Sequence, residues 1–314
     1  MYNEEQKLRF LDTVESESSR KAIASMFNRF EEYETKLHQD IAEWRIDQIY
    51  STIESMYIFD FGTIKQYLST LTLYKRYFAD LHNSNDDDGV IILPKLDASN
   101  IDITHNIREV LINSPRMLKV EIEKTRDPSQ GHYICAAACF AWLGIDSKTM
   151  PNIKDSAVDF QNRSIVDEEC NIAIENISVD IIDVLRQYWE TDEAIRWHHA
   201  PCRVYPIYNG KFLHVMSGIN SKKESSPIKY TSIRNEFANL AKEAKTCDDI
   251  PSRLEYPNIL RSGGLYRLYQ LEQTGVDIFS GKNDELLQST YAAPGKLFDI
   301  RSLYRQYKRA FNLD

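Results

Sequence analysis

The sequence has no long apolar run. Its most hydrophobic stretch, Tyr133 to Ile145, covers 13 residues, short of the ~20 that a membrane-spanning helix needs. The opening Met1-Tyr-Asn-Glu-Glu-Gln is polar and acidic, where an export signal is basic and then apolar. A cytoplasmic protein with no membrane partner is therefore expected. Cysteine is scarce: Cys135, Cys139, Cys170, Cys202 and Cys247 are odd in number and irregular in spacing, which argues against a disulfide framework. His132, Cys135 and Cys139 have a metal-like spacing, yet Ala136, Ala137, Ala138, Phe140, Trp142 and Leu143 surround them, so they read as packing groups. His198–His199 lacks partners at ligand spacing. No metal and no cofactor is expected. There is no repeat of solenoid period and no low-complexity tract.

A basic excess is also lacking. With 38 Lys and Arg against 47 Asp and Glu the net charge is −9, which taken as a sum argues against a nucleic-acid partner. The distribution changes that inference. Residues 201–314 hold 17 basic and 12 acidic side chains, a balance of +5, whereas residues 1–200 hold 21 and 35, a balance of −14. A basic last third is hidden in an acidic total.

What is present is a globular composition, 42% hydrophobic and 27% charged over 314 residues, enough for one large domain or two ordinary ones. The first ~85 residues read as helices. Ser18 or Ser19 can cap a helix to about Gln39, with Ile23, Phe27, Phe30, Tyr33 and Leu37 on one face. A second helix is expected near Ile46–Tyr57, and Thr63 begins a third carrying Ile64, Tyr67, Leu68, Leu71, Leu73, Tyr74 and Phe78. His82-Asn-Ser-Asn-Asp-Asp-Asp-Gly89 is the best linker signal.

Beyond it, helices are expected at Asn106–Leu111, Gln130–Leu143, Val179–Trp189 and Tyr230–Ala244, and again from Leu260 onward with breaks at Gly281 and Pro294-Gly295. Arg163-Ser-Ile-Val and Cys-Asn-Ile-Ala173 flank an acidic turn and read as a hairpin; Val204–Tyr208 and Lys211–Val215 are strand-like. The fold class is mainly α with a small β-sheet (α+β).

Two motifs in the second part, in order, resemble a known family. Leu143-Gly-Ile-Asp-Ser-Lys-Thr-Met150, continuing to Val158-Asp-Phe, is similar to the tyrosine recombinase (phage integrase) segment that carries the first catalytic arginine. Tyr256-Pro-Asn-Ile-Leu-Arg-Ser-Gly-Gly-Leu-Tyr-Arg267 resembles that family's His-x-x-Arg box. Gly281-Lys282 then stands where the family has Gly-His or Gly-Trp, with Lys282 nine residues before Tyr291. The resemblance implies a two-domain clamp: a helical core-binding domain over 1–84, a linker over 85–100, and a degenerate catalytic-like domain over 101–314 with a C-terminal helix.

Strand cleavage in that family needs a tyrosine nucleophile, two guanidiniums on the non-bridging oxygens, an acid for the leaving oxygen and imidazole or indole donors. By resemblance Tyr291 holds the nucleophile position and Arg261 the second arginine. Asp146 stands where the first arginine belongs, Asn258 replaces the box histidine and Lys282 the later His/Trp. No lysine lies between Asp155 and Tyr208, so the hairpin lysine has no counterpart there. Losing one preorganised donor costs on the order of 10²–10³ in rate, and several are replaced here. The resemblance therefore implies vestigial catalytic positions and no enzyme activity, with Tyr291 serving as a packing or phosphate-contacting residue.

The expected function is that of a sequence-specific, DNA-binding transcriptional repressor of phage lysogeny, working in the cytoplasm of a bacterial host on its nucleoid. Double-stranded DNA is the partner. Arg20, Lys21, Lys65 and Gln66 are the N-terminal contact candidates; Lys222, Lys223, Lys229, Arg234, Arg261, Arg267 and Lys282 are those of the second part. The C-terminal Phe298–Phe311 segment, with Phe298, Leu303, Tyr304, Tyr307 and Phe311 in an amphipathic pattern, either docks on a second subunit or folds back on its own chain. A divergent active recombinase using Tyr291, and an interaction module that regulates a recombinase or binds a phage regulatory protein, are the alternatives.

Overall fold

The computed structural model describes residues 1–82, 96–191, 193–195, 201–203, 210–213, 228–245 and 250–313. The chain divides into two compact units. Unit 1 comprises Met1–Asn106 with Phe298–Gln306, and unit 2 comprises Ile107–Leu297 with Tyr307–Asp314. The expected strand Val204–Tyr208, the last two residues of Lys211–Val215, His198–His199, Lys222, Lys223 and Cys247 lie outside the described residues.

Unit 1 is helical: α1 (Glu4–Asp12), α2 (Glu17–Leu37), a 3-10 turn (Ile41–Glu43), α3 (Ile46–Ser55) and α4 (Phe61–His82). The N-cap of α2 is Ser16, extended in backbone, whose hydroxyl accepts the Ser19 amide; Ser18 and Ser19, the caps read from sequence, lie within the first turn. The helical stripes meet over most of their length, but Leu37 at the end of α2 and Leu73 of α4 are exposed. Ile23, Phe27 and Phe30 of α2 are buried with Ile64, Leu68, Leu71 and Tyr74 of α4, and Phe10, Phe27 and Tyr74 form an aromatic cluster with centroids 4.9–6.1 Å apart.

Polar groups are buried with this core. Lys7 Nζ donates to both oxygens of Glu34, and each side chain is 0% exposed. Glu34 also accepts the Ile41 amide at 2.8 Å. Burial pushes the Glu34 carboxyl above its usual range, outweighing the hydrogen bond from Lys7 and that amide. Tyr74 donates to Asp40, which also receives Asn3.

Unit 2 is built around α7 (Tyr133–Trp142), all ten residues of which are buried. Around it stand α6 (Pro115–Thr125), α8 (Val179–Trp189), α9 (Tyr230–Glu243) and α10 (Tyr256–Gln273), followed by α11 (Asp284–Tyr291). The short α5 (Thr104–Val110) enters the unit. Helix α6 escaped the sequence reading, although Ser114 caps it and Pro115 occupies its first turn, both legible start signals. The antiparallel sheet has the order β1 (Val158–Asp159), β2 (Ser164–Asp167), β3 (Ile172–Ile174), with Ile165 opposite both Val158 and Ile174. A second pair, β4 (Glu193–Ile195) and β5 (Pro201–Arg203), is also antiparallel.

Cys135 and Cys139 are sealed in this core; burial pushes the Cys135 thiol up to about 12 and raises Cys139 as well. His132 caps α7 through Nδ1 to the Ile134 amide, and its Nε2 faces Arg126. Burial first, then the Arg126 charge, lowers the imidazole to about 3. Among the described residues no three His, Cys, Asp or Glu side chains gather as a metal site.

Gly263 and Gly264 decide how closely α10 can approach. A Cβ on Gly263 would lie 2.0 Å from the Trp142 carbonyl oxygen, and one on Gly264 2.4 Å from that of Tyr291. Neither contact can be relieved by a rotamer change, because both meet backbone. Gly263→Ala should therefore cost roughly 3 kcal/mol, the upper part of the range for overpacked cores, read as a lower urea midpoint of unfolding at an unchanged slope.

Helix α12 (Leu297–Phe311) buries its apolar face within its own chain. In unit 1 Gln306 bridges backbone, accepting the Ile103 amide and donating to the Ile101 carbonyl, both at 2.8 Å. In unit 2 the Tyr307 hydroxyl donates to the Ile112 carbonyl at 3.2 Å. Of the two dispositions expected for this tail, the structure adopts the folded-back one. Phe298 is the exception to its apolar face, 59% exposed beneath the Lys65 ammonium, which sits 3.2 Å from the ring centroid.

Candidate nucleic-acid interface

The segment after α7 turns at Gly144, which has φ +90, while the Ile145 amide returns to the Phe140 carbonyl at 2.9 Å. This glycine-terminated helix end places Asp146 at the start of a tight turn. Its carboxylate accepts the amides of Lys148 and Thr149 at 2.8 and 3.2 Å and the Thr149 hydroxyl at 2.6 Å. Burial raises the carboxyl, but the Thr149 hydroxyl, these amides and the Lys148 charge outweigh it and hold Asp146 below its ordinary value. At neutral pH this position presents a negative charge, already committed to its own turn.

The next residue ties the turn to α10, because the Ser147 amide donates to the Tyr256 hydroxyl at 3.1 Å. Two residues further along α10, Asn258 is buried; its amide group donates to the Ser252 carbonyl at 3.0 Å and its oxygen accepts Arg261 Nη1 at 3.2 Å. The box therefore holds together locally: Asn258 positions the half-buried Arg261. Ser262 follows, accepting the Ile112 amide at 3.0 Å, and then the two glycines.

Tyr291 ends α11 with its side chain inside the protein, at 2% exposure and against Gly264. Arg267 lies beside it and faces inward. Its Nε donates to Thr290 O at 2.9 Å, its Nη2 to Tyr291 O at 3.0 Å and its Nη1 to the Trp142 carbonyl. One guanidinium thus closes the C-terminal ends of α7 and α11, where unsatisfied carbonyls favour a cation. Burial lowers its pKa to about 10, so it stays charged at neutral pH.

The other candidates are on the surface. Lys282 is exposed in a 3-10 turn over Gly281–Asn283. Lys229 and Arg234 are exposed at the start of α9. In unit 1, Arg20 donates to the Val14 carbonyl, Lys21 pairs with Glu17 at 2.7 Å, and Lys65 and Gln66 are exposed on α4. The structure brings together Asn258 with Arg261 and Arg267 with Tyr291, and links the Asp146 turn to the same helix.

Two features went unread in the sequence. Tyr256 holds the Asp146 turn, which no spacing rule announces. Lys154, one residue before the lysine-free interval from Asp155 to Tyr208, reaches the acidic hairpin turn to pair with Glu169 at 2.6 Å.

The described residues form a mainly helical α+β chain with a small antiparallel sheet, with Asn258 and Arg261 on one helix. Residues 1–80 match the family model described as MrpR, N-terminal core-binding domain, which supports a tyrosine-recombinase-like relative. A search of curated proteins finds no match. No helix among the described residues is long and apolar enough to cross a membrane.

Proposed function

We propose that this chain is a sequence-specific DNA-binding repressor of transcription, derived from a tyrosine recombinase that no longer cleaves DNA, of the kind that maintains lysogeny in SPβ-group Bacillus phages. The observation that carries the reading is the chemistry at the recombinase positions. A carboxylate at Asp146 repels the phosphate an arginine would grip, and Tyr291, at 2% exposure, has its ring packed in the core. The core-binding match over residues 1–80 supports DNA as the partner. Phosphate contact through Lys65, Lys229, Arg234, Arg261 and Lys282 supplies affinity and register without chemistry. Arg267 is left out of this set because its donors are held by three carbonyls.

Selection from random duplexes, followed by footprinting at the enriched site, tests the reading. One motif should emerge, and Lys282→Ala should weaken binding across sequences while lowering the slope of log affinity against log salt by about 1. Nicked suicide substrates carrying the motif should yield no covalent complex. A 3′-phosphotyrosyl adduct at Tyr291 would establish an active recombinase instead, and enrichment of no motif would remove the repressor reading.

A further inference from the structure

Helix α9 has two chemically distinct faces. Glu236 and Glu243, seven residues apart and so on one side, converge on Arg126 of the segment after α6, at 3.4 and 2.5 Å. Arg234, Ala238, Ala241, Lys242 and Lys245 recur at helical spacing on the other side. That side forms one wall of a cleft of about 430 Å³, whose opposite wall is the start of α10, with Glu255, Tyr256 and Pro257. Phe237 and Tyr256 lie along its apolar floor, their ring centroids 5.1 Å apart. Three cations and one carboxylate border it, and neither Arg234 nor Lys242 has a carboxylate at ion-pair distance among the described residues.

We infer that this cleft is a binding site for a small amphipathic organic anion, with an aromatic or branched apolar body against Phe237, Ala241 and Tyr256 and a carboxylate, sulfonate or phosphate at Arg234, Lys242 and Lys245. The volume is that of a small-molecule pocket, and the fixed charge at its border selects the sign of the occupant. The ion pairs between Arg126 and the far face of α9 hold the basic wall in place with no ligand present. An occupant would also take Arg234 away from a duplex and press on Tyr256, which holds the Asp146 turn; this consequence rests on the DNA-binding reading above, whereas the site itself does not.

The test is fluorescence titration of the full chain with 8-anilinonaphthalene-1-sulfonate, beside its uncharged analogue N-phenyl-1-naphthylamine. The sulfonate should bind saturably at one site and the neutral compound at least tenfold more weakly. Lys242→Gln with Lys245→Gln should raise the sulfonate Kd about tenfold, and Ala238→Trp, which fills the cleft without changing charge, should abolish binding while circular dichroism remains that of the wild type. Equal affinity for the two probes, or an unchanged titration in both variants, would overturn the site. In a separate measurement, saturating sulfonate should weaken duplex binding by the wild type and leave the Ala238→Trp protein unaffected. If the titration behaves as described and duplex affinity does not move, the coupling to DNA is overturned and the site stands.

Discussion

Replacing Arg267 by methionine should lower the stability of unit 2 by about 3–5 kcal/mol, a fall of roughly 10 °C in its melting midpoint. Methionine retains much of the apolar stem, so the loss falls on the three carbonyls of Trp142, Thr290 and Tyr291 that the guanidinium satisfies. Arg267→Lys should recover only part of this loss, because one ammonium cannot reproduce the planar fork that spans two helix ends. Below the midpoint, both variants should bind a duplex with the affinity and salt slope of the wild type. Lys282→Ala should behave in the opposite way, with an unchanged melt and weaker binding. An Arg267→Met protein with a wild-type melt and a shallower salt slope would place Arg267 on DNA. The two variants separate a cation that closes two helix ends, Arg267, from an exposed one that meets phosphate, Lys282.

The second large effect belongs to unit 1. Lys7→Met removes one partner of a fully buried ion pair and leaves the Glu34 carboxylate uncompensated, which should cost about 3–5 kcal/mol. The double variant Lys7→Met/Glu34→Leu should regain most of that, since it buries no charge; the remaining deficit belongs to the Ile41 amide, which loses its acceptor. Acid should relieve the single variant. Burial has already raised the Glu34 pKa in the wild type, and a carboxyl raised on folding contributes stability that is present below its unfolded value and lost as pH rises through its folded value. Without Lys7 the folded value rises further, so the deficit measured by urea unfolding should be smaller near pH 5 than near pH 7. A deficit independent of pH, or a double variant as unstable as the single one, would show that cavity formation outweighs charge.

The two experiments bear on function in different ways. Unit 1 contains the residues matched by the core-binding family model, and its buried Lys7–Glu34 and Asp40–Tyr74 contacts tie α1, α2 and α4 together. A DNA-contact test through Lys65 or Gln66 is interpretable only while that packing is intact. In unit 2, Gly263 and Gly264 let α10 touch the end of α7 and the end of α11, and Tyr256 at the start of α10 meets the Asp146 turn through the Ser147 amide. Packing, rather than any single polar contact, assembles the cluster.

Much of this was legible one residue at a time. The apolar stripes of α2 and α4, the hairpin of β2 and β3 and the limits of α8 followed from periodicity and turn chemistry, because those signals are local. Helix α6 is announced by its Ser114 cap and Pro115 more than by apolar periodicity. That Asn258 and Arg261 share one helix face was legible from their spacing of three, whereas the hydrogen bond of Asn258 to the Ser252 carbonyl was not.

The sequence by itself determined the α+β class and the segregation of a basic last third from an acidic remainder, since these depend on composition, order and local spacing. Only the tertiary structure decided which charges face outward. It turned Arg267 onto two helix ends, placed Tyr291 in the core, folded α12 back on its own chain, and set Arg234, Lys242 and Lys245 around a cleft. The physical reason is that a side chain's exposure depends on what packs against it from distant parts of the chain. Arg261 and Arg267 share one helix, yet only Arg267 lies where the carbonyl ends of α7 and α11 converge.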